Sequence, residues 1–372
     1  MPRVSLDLPD FPWDSLAPFL ELARAHPDGI VDLSVGSPVD ATPEPLRRAL
    51  AAATDAHAYP LTSGTPAVRA AIAEWFARQR RVPGLTPANT LPTVGSKELV
   101  AGLPLWLGLR EPDTVVHPAT AYPTYAIGAA IARVDAVASD DPAAWPDTTR
   151  LIWLNSPGNP DGRVLDVEQL RAAVARAREL GAVIANDECY AQFGWTARWA
   201  GRTTPSILDP AVTDGDLSSV LAVYSLSKQS NLAGYRAGFV AGDEPIIDEL
   251  LGVRKHLGLI PPAPVQAAMV AALRNDSHVA EQVERYRTRR QKLIAAVSEA
   301  GFRIDHSEAG LYLWITRDED SWDTIAWLAS LGILAAPGSF YGAAGERHVR
   351  IALTATDERV DAAARRLAQT TN

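Results

Sequence analysis

The 372-residue chain predicts an α/β protein, a parallel sheet with helices on both faces followed by a smaller α+β domain. Three observations carry that expectation. From residue 91 to residue 240, short apolar runs alternate with amphipathic helical stretches, the signature of strand–helix–strand units. After Gly242 the pattern changes to helices and then to short strand-like runs separated by helices. The chain also exceeds the size of one typical core, so two bodies are expected. Their boundaries are expected at 45–275 for the large domain, with 1–44 and 276–372 forming the arm and the small domain.

The elements follow in order. An arm leads to a helix over Ser15 to His26, ended by Pro27-Asp28-Gly29. Ile30 to Leu33 then runs as a short strand into Ser34-Val35-Gly36-Ser37-Pro38. Gly36 lets the backbone approach a ligand closely, or it makes a plain turn. Helices over Pro45 to Ala53 and Pro66 to Arg80 flank His57-Ala58-Tyr59-Pro60. Leu91 to Val94 is a strand, followed by Gly95-Ser96-Lys97 at the start of a helix that runs to Trp106. Amides at a helix start hold anions, although Ser96 equally suits a cap. Thr114 to His117 is a strand leading to Tyr122, either a core aromatic or a partner for a planar ring. Leu151 to Leu154 ends in the turn-rich Asn155 to Gly162. A helix over Val167 to Leu180 precedes the strand Ala182 to Tyr190, which carries two acids near its end. In the second body, His278 to Glu299 is a long charged helix of the kind that bridges domains. Strands at Phe302 to Asp305, Leu311 to Ile315 and His348 to Leu353 alternate with helices at Trp322 to Ser330 and Glu358 to Ala368.

Composition narrows the function classes. With 47% hydrophobic residues there is ample material for a core, and a net charge of −9 argues against a nucleic-acid-binding surface. The one cysteine, Cys189, permits no internal disulfide and suits a reducing, cytoplasmic setting. Met1 to Phe19 lacks the apolar stretch of a signal peptide, and the longest apolar run, Val100 to Leu109, stops well short of the ~20 residues of a membrane span. The histidines are scattered, so no metal site is expected.

The chemistry centres on Ser225-Leu226-Ser227-Lys228, after the apolar run Leu221 to Tyr224. Only four of 35 basic residues are lysines, at 97, 228, 255 and 292, so a lysine where a buried strand ends is informative. A partly desolvated amine attacks carbonyls to form a Schiff base, which arginine cannot do. Nearby hydroxyls and Arg236 are what a phosphate needs. Lysine beside a phosphate site is the chemistry of pyridoxal 5′-phosphate, PLP. Arg350, in an otherwise apolar strand, needs a carboxylate partner, from a substrate or from a structural acid.

Together, Asp32-Leu33-Ser34-Val35-Gly36-Ser37-Pro38-Val39-Asp40, Ala121-Tyr122-Pro123-Thr124-Tyr125 and Ser225-Leu226-Ser227-Lys228 resemble the class I/II aminotransferases of PLP fold type I. The likeness runs from about Ile30 to about Arg366. The group it resembles most is the N-succinyl-LL-diaminopimelate aminotransferases of high-GC Gram-positive bacteria. The resemblance implies a mixed, mostly parallel sheet in the large domain and a homodimer acting on amino acids and 2-oxo acids. It implies that Lys228 holds PLP through a Schiff base and moves the substrate proton. Asp187 would pair with the pyridinium nitrogen, Tyr190 and Asn159 would bond the ring hydroxyl oxygen, and Tyr122 would stack on the ring. Gly95, Ser96, Lys97, Ser225 and Arg236 would hold the phosphate, with Tyr59 reaching that of the neighbouring subunit. Arg350 would bind the α-carboxylate, helped by Asn159 and the Gly36 backbone. Asp161 replaces the family's usual threonine in a turn, where little effect is expected. Leu259 to Pro262 lacks the second substrate arginine of aspartate-specific enzymes, and Arg254 and Lys255 are candidates for distal carboxylates, against a solvated helix face. The implied reaction is transamination of N-succinyl-LL-2,6-diaminopimelate with 2-oxoglutarate, in diaminopimelate and lysine biosynthesis. Alternatives are a class I/II aminotransferase of broad specificity, a PLP-dependent β-lyase or decarboxylase, and the ligand sensor of a transcription regulator. The last is opposed by the 35 residues before Gly36, too few for a DNA-binding domain.

Overall fold

The computed structural model describes residues 8–371; of the expected N-terminal arm, residues 1–7 lie outside them. Thirteen strands are described in chain order. They are β1 (Val31–Asp32), β2 (Thr90–Val94), β3 (Thr114–His117), β4 (Asp135–Ala138), β5 (Thr149–Asn155), β6 (Val183–Asp187), β7 (Val220–Ser225) and β8 (Ala237–Gly242), then β9 (Arg303–Ile304), β10 (Tyr312–Thr316), β11 (Ile333–Leu334), β12 (Ala336–Pro337) and β13 (Val349–Ala352). Seven of them form one sheet in the order β2-β8-β7-β6-β5-β3-β4. Strands β3 to β7 are mutually parallel, whereas β8 runs antiparallel to both β2 and β7. The sheet is therefore mixed and mostly parallel. The strand–helix alternation had not marked β4 or the reversal at β8, since β8 follows β7 after a short loop rather than a crossover helix.

Residues of β7 are buried along their whole length, as expected of a central strand covered on both faces. One face packs on the helix Pro66–Gln79, where Trp75 meets Tyr224 at a ring-centroid distance of 4.5 Å. The other packs Leu221 and Val223 against Leu99, Leu103, Tyr125 and Leu250. Each fully buried aliphatic or aromatic side chain contributes roughly 1.5–3 kcal/mol over its exposed form.

A separate core gathers the long helix Ser277–Glu299, β10, β13 and the helices Ser321–Ser330 and Asp357–Ala368 around Tyr286, Leu313, Ile325 and Val360. Val31 and Leu33 join it, because β1 pairs in parallel with β11. Tyr190 and Phe193, which follow β6, also pack there, so the two cores meet behind the end of the large sheet. Strand β13 lies between β10 and β12, with Arg350 opposite Trp314 and Ala336. The expected helix over 15–26 is shorter: a 3-10 turn at Pro12–Leu16 precedes an α-helix at Ala17–Arg24. Among the described residues no helix is long and apolar enough to cross a membrane.

Candidate active site

The carboxyl ends of β5, β6 and β7 deliver Asn155, Asp187 and Ser225 to one edge of the sheet. A cavity of about 500 Å³ opens there. Its lining includes Gly36, Ser96, Lys97, Tyr122, Asn159, Asp187, Tyr190, Ser225, Lys228, Arg236 and Arg350. Eleven of the thirteen residues singled out from the sequence thus line one space, although they span more than 300 positions of the chain.

Lys228 sits in a single helical turn, Leu226–Gln229, where the sequence had suggested only that a strand gives way to a loop. Ser225 caps that turn, its Oγ accepting from the Ser227 amide at 3.2 Å and donating to Ser227 Oγ at 2.9 Å. The cap fixes the direction of Lys228, whose half-buried amine donates to the Gly36 carbonyl. Gly36 is required here by close approach: a methyl group at that position would overlap the Tyr312 hydroxyl.

Asp187 is buried, and its partners lack a cation. Its Oδ1 accepts from the Cys189 amide at 3.2 Å and its Oδ2 accepts from Tyr125 Oη at 3.3 Å. Burial holds its carboxyl above the usual range, against the lowering effect of its hydrogen bonds with Cys189 and Tyr125. Tyr125 is itself pushed well up by burial and by the Asp187 charge, so it remains the donor. Asn155 supports the pair, donating to the Asp187 carbonyl at 2.9 Å and accepting from the Asn159 amide at 2.8 Å. A buried carboxylate aimed into a cavity calls for a cation to offset its desolvation.

An anion cradle lies at the start of the helix Ser96–Trp106, which Gly95 caps with φ 75°. The left-handed backbone favours glycine, and a methyl there would strike the Arg236 guanidinium. Arg236, itself left-handed at φ 56°, is exposed and spends one N–H on the Ala233 carbonyl at 2.8 Å. The amides of a helix start, a guanidinium and the Ser225 and Ser227 hydroxyls could together hold a phosphate. The Lys97 amine lies 5.5 Å from the Tyr122 ring centroid and 5.6 Å from that of Phe11, a cation between two aromatic faces at the cavity wall.

Arg350 is fully enclosed. Its Nη1 donates to Asn159 Oδ1 at 2.8 Å and its Nη2 to the Ser34 carbonyl at 2.6 Å. The guanidinium lies 4.0 Å from the Tyr312 ring centroid and 5.0 Å from that of Tyr341. Neither partner is an acid, which removes the structural-acid reading of this arginine, and its Nε–H is buried without a partner. Tyr312 and Tyr125 were not singled out from the sequence. Each lies in an apolar run, and only the fold shows that its hydroxyl meets a site residue.

Three sequence candidates fall elsewhere. Arg254 is buried and held by Glu98 at 2.8 Å and by the Leu259 carbonyl at 3.1 Å, so it is a structural cation, not a contact for distal carboxylates. Lys255 is exposed at the end of the same helix and absent from the cavity lining. Tyr59 is 97% exposed and lines no part of this chain's cavity. Asp161 proves more than a turn former: it is buried, and its Oδ2 holds Arg163 Nε at 2.6 Å.

A lysine amine, an uncompensated carboxylate, an anion cradle and an enclosed arginine around one cavity define a PLP-type amino-acid site. Residues 28–367 match the sequence model of the family described as aminotransferase class I and II, and the chain belongs to that family. OxyQ of Streptomyces rimosus, described as a 4-dedimethylamino-4-oxo-anhydrotetracycline transaminase, is 55% identical over 97% of this chain and 99% of its own. The probable aminotransferase Rv1178 of Mycobacterium tuberculosis is 54% identical over 98% of this chain and 86% of its own. Among solved structures, an aminotransferase from Staphylococcus aureus superposes with a TM-score of 0.87 at 27% identity, covering 98% of this chain and 97% of that one. The family and fold are PLP-dependent, and the fold is type I. The protein is an aminotransferase.

Proposed function

We propose that this enzyme transaminates an amino acid whose α-carboxylate is gripped by Arg350, the donor being N-succinyl-LL-2,6-diaminopimelate and the acceptor 2-oxoglutarate. The observation that carries the reading is the enclosed Arg350, without an acidic partner, in the cavity that also holds the Lys228 amine. When bound, PLP supplies an electron sink that lets the amino-acid Cα give up a proton. The residues present fit that cofactor. Asp187 lacks a cation that a ring nitrogen would provide, and the Gly95–Arg236 cradle suits its phosphate. Tyr190, with Asn159, would bond the ring hydroxyl oxygen, and Tyr122 would lie against the ring; all three line the cavity. Lys228 takes the Cα proton and returns it, and its capped helical turn limits the directions its amine can point. Arg350 fixes the orientation of the substrate by its carboxylate, which decides which Cα bond is presented.

The distal end of the substrate meets a roomy space rather than a second buried clamp. Lys97, expected at the phosphate, has its exposed amine over the Phe11 and Tyr122 rings instead, so it is a candidate for a distal carboxylate now that Arg254 is seen to be paired. A relative named LL-diaminopimelate aminotransferase, from Dehalococcoides mccartyi, is 27% identical over 97% of this chain and 96% of its own, which supports a diaminopimelate-type donor. A second reading is favoured by OxyQ, whose name describes a bulky oxo-tetracycline substrate. Phe11, Trp13 and Tyr122 give this cavity an aromatic wall that such a ring system would suit. Specificity constants for succinyl-diaminopimelate, aspartate, alanine, an aromatic amino acid and a polycyclic ketone acceptor decide between them. A tenfold preference for aspartate or for an aromatic donor overturns the diaminopimelate reading and leaves transamination intact.

The same reading places 45–275 as the cofactor-binding body and 1–44 with 276–372 as the smaller one. It also places the enzyme in the cytoplasm as a symmetric homodimer, the commonest soluble assembly. Support comes from Tyr59 and Leu61, exposed at 97% and 60%, which suit a subunit contact. Light scattering tests this, and a fully active monomer refutes it.

A further inference from the structure

Tyr312 touches both ends of the site. Its ring carries the Arg350 guanidinium 4.0 Å from the centroid, and its hydroxyl lies 3.0 Å from the Tyr190 hydroxyl. Both phenols are buried, and their rings meet edge to face at 71°. Strand β10 fixes this placement, because Tyr312 pairs with Ala352 and Trp314 with Arg350 on the adjoining strand β13. The backbone has yielded to it as well, since only glycine at position 36 leaves room for the Tyr312 hydroxyl. An apolar phenylalanine would fill the same core space. A buried phenol usually finds a hydrogen-bond partner, and here the partner is a site residue.

We propose that Tyr312 is a positioning residue that couples the two halves of the site, its ring steadying Arg350 and its hydroxyl donating to Tyr190 so that the Tyr190 proton points at the cofactor. This rests on the assignment of Tyr190 to the ring hydroxyl oxygen. A phenol that accepts one hydrogen bond becomes a better donor in the next, because chained hydrogen bonds polarise one another. Tyr190 armed in this way stabilises the deprotonated form of the bound cofactor. Removing the Tyr312 hydroxyl weakens that bond and makes the cofactor hold its proton to higher pH. The other charged or titratable groups facing the phenol pair are Arg350, Cys189, Tyr286 and Tyr341, with Asp187 and Lys228 on the same cavity. All of them are retained in the variants below.

The test is a pH titration of holoenzyme absorbance, with steady-state kinetics alongside. Tyr312→Phe is expected to raise the absorbance midpoint by roughly 0.3–0.7 pH unit, a fraction of the effect of losing the Tyr190 bond itself. Tyr190→Phe is expected to raise it further, and the double variant to match Tyr190→Phe alone, because the Tyr312 hydroxyl acts only through Tyr190. Tyr312→Leu also removes the ring beneath Arg350. It is expected to raise KM for the amino donor by roughly 3- to 30-fold with kcat nearly kept, the range of a cation–π contact. An unmoved midpoint in Tyr312→Phe, or additive shifts in the double variant, overturns the hydroxyl coupling. A Tyr312→Leu KM within twofold of the parent overturns the Arg350 role. If Tyr190→Phe itself leaves the midpoint unmoved, the Tyr190 assignment has failed and the hydroxyl half of the proposal falls with it, while the KM of Tyr312→Leu still judges the other half.

Discussion

Replacing Arg350 with lysine keeps the charge but removes the fork, and the structure sets the size of the loss. A guanidinium has five N–H donors. Here Asn159 Oδ1 and the Ser34 carbonyl take two of them, one on each terminal nitrogen, and Nε–H is buried without a partner. The remaining N–H groups are free to meet a carboxylate at two points. Each charge-assisted hydrogen bond of that kind contributes roughly 1.5–3 kcal/mol. A lysine amine retains at most one such contact and strands Asn159 Oδ1 and the Ser34 carbonyl. Arg350→Lys should therefore lower kcat/KM for an amino acid by roughly 10- to 150-fold, the equivalent of one lost contact. Arg350→Ala loses both contacts and should cost roughly 10²- to 10⁴-fold. The assay is the single-turnover half-reaction with L-glutamate, run beside the amine that lacks its α-carboxylate. Only the amino acid should respond to the substitution. Equal losses with both donors would refute the carboxylate role and reduce Arg350 to a structural cation.

Lys228→Ala should remain folded by circular dichroism and lose turnover, and Lys228→Arg should also fail, since a guanidinium stays protonated and cannot form the carbonyl linkage; substantial turnover by either variant would overturn the assignment. Asp187 has a carboxyl raised above its unfolded value of about 3.9 by burial, so the folded cofactor-free protein binds that proton more tightly. The resulting stability is present below pH ~4 and is lost as the pH climbs through the raised value. Asp187→Asn should flatten that slope and raise the melting temperature of the cofactor-free protein at pH 7, while weakening cofactor retention on dialysis; a lower melting temperature would show that the carboxylate is already compensated. Glu188, next in sequence, is fully buried against Arg80 at 2.6 Å and also accepts from Ser206 Oγ and the Ile207 amide. Glu188→Gln leaves a buried guanidinium without its counter-charge and should cost about 3–5 kcal/mol in urea unfolding, against less than ~1 kcal/mol if the pair were solvated.

The sequence by itself determined the alternation that builds the sheet, because apolar runs of strand length and amphipathic helical stretches are local patterns. It also determined the lysine, since Lys228 lies four residues beyond the apolar run Leu221 to Tyr224 in a chain that uses arginine almost everywhere else. It left Gly36 and Arg350 each with two readings, and the tertiary structure supplies the facts that bear on them, which are contacts between distant segments: Arg350 with Ser34 and Asn159, Lys228 with Gly36, and Gly36 with Tyr312. The structure also withdrew Arg254 from the substrate, through a glutamate 156 positions away that no local pattern announces. Tyr125 and Tyr312 stayed hidden for the same reason. In an apolar run a tyrosine reads as core, and whether its hydroxyl ends at Asp187 or at Tyr190 depends on which strands lie side by side.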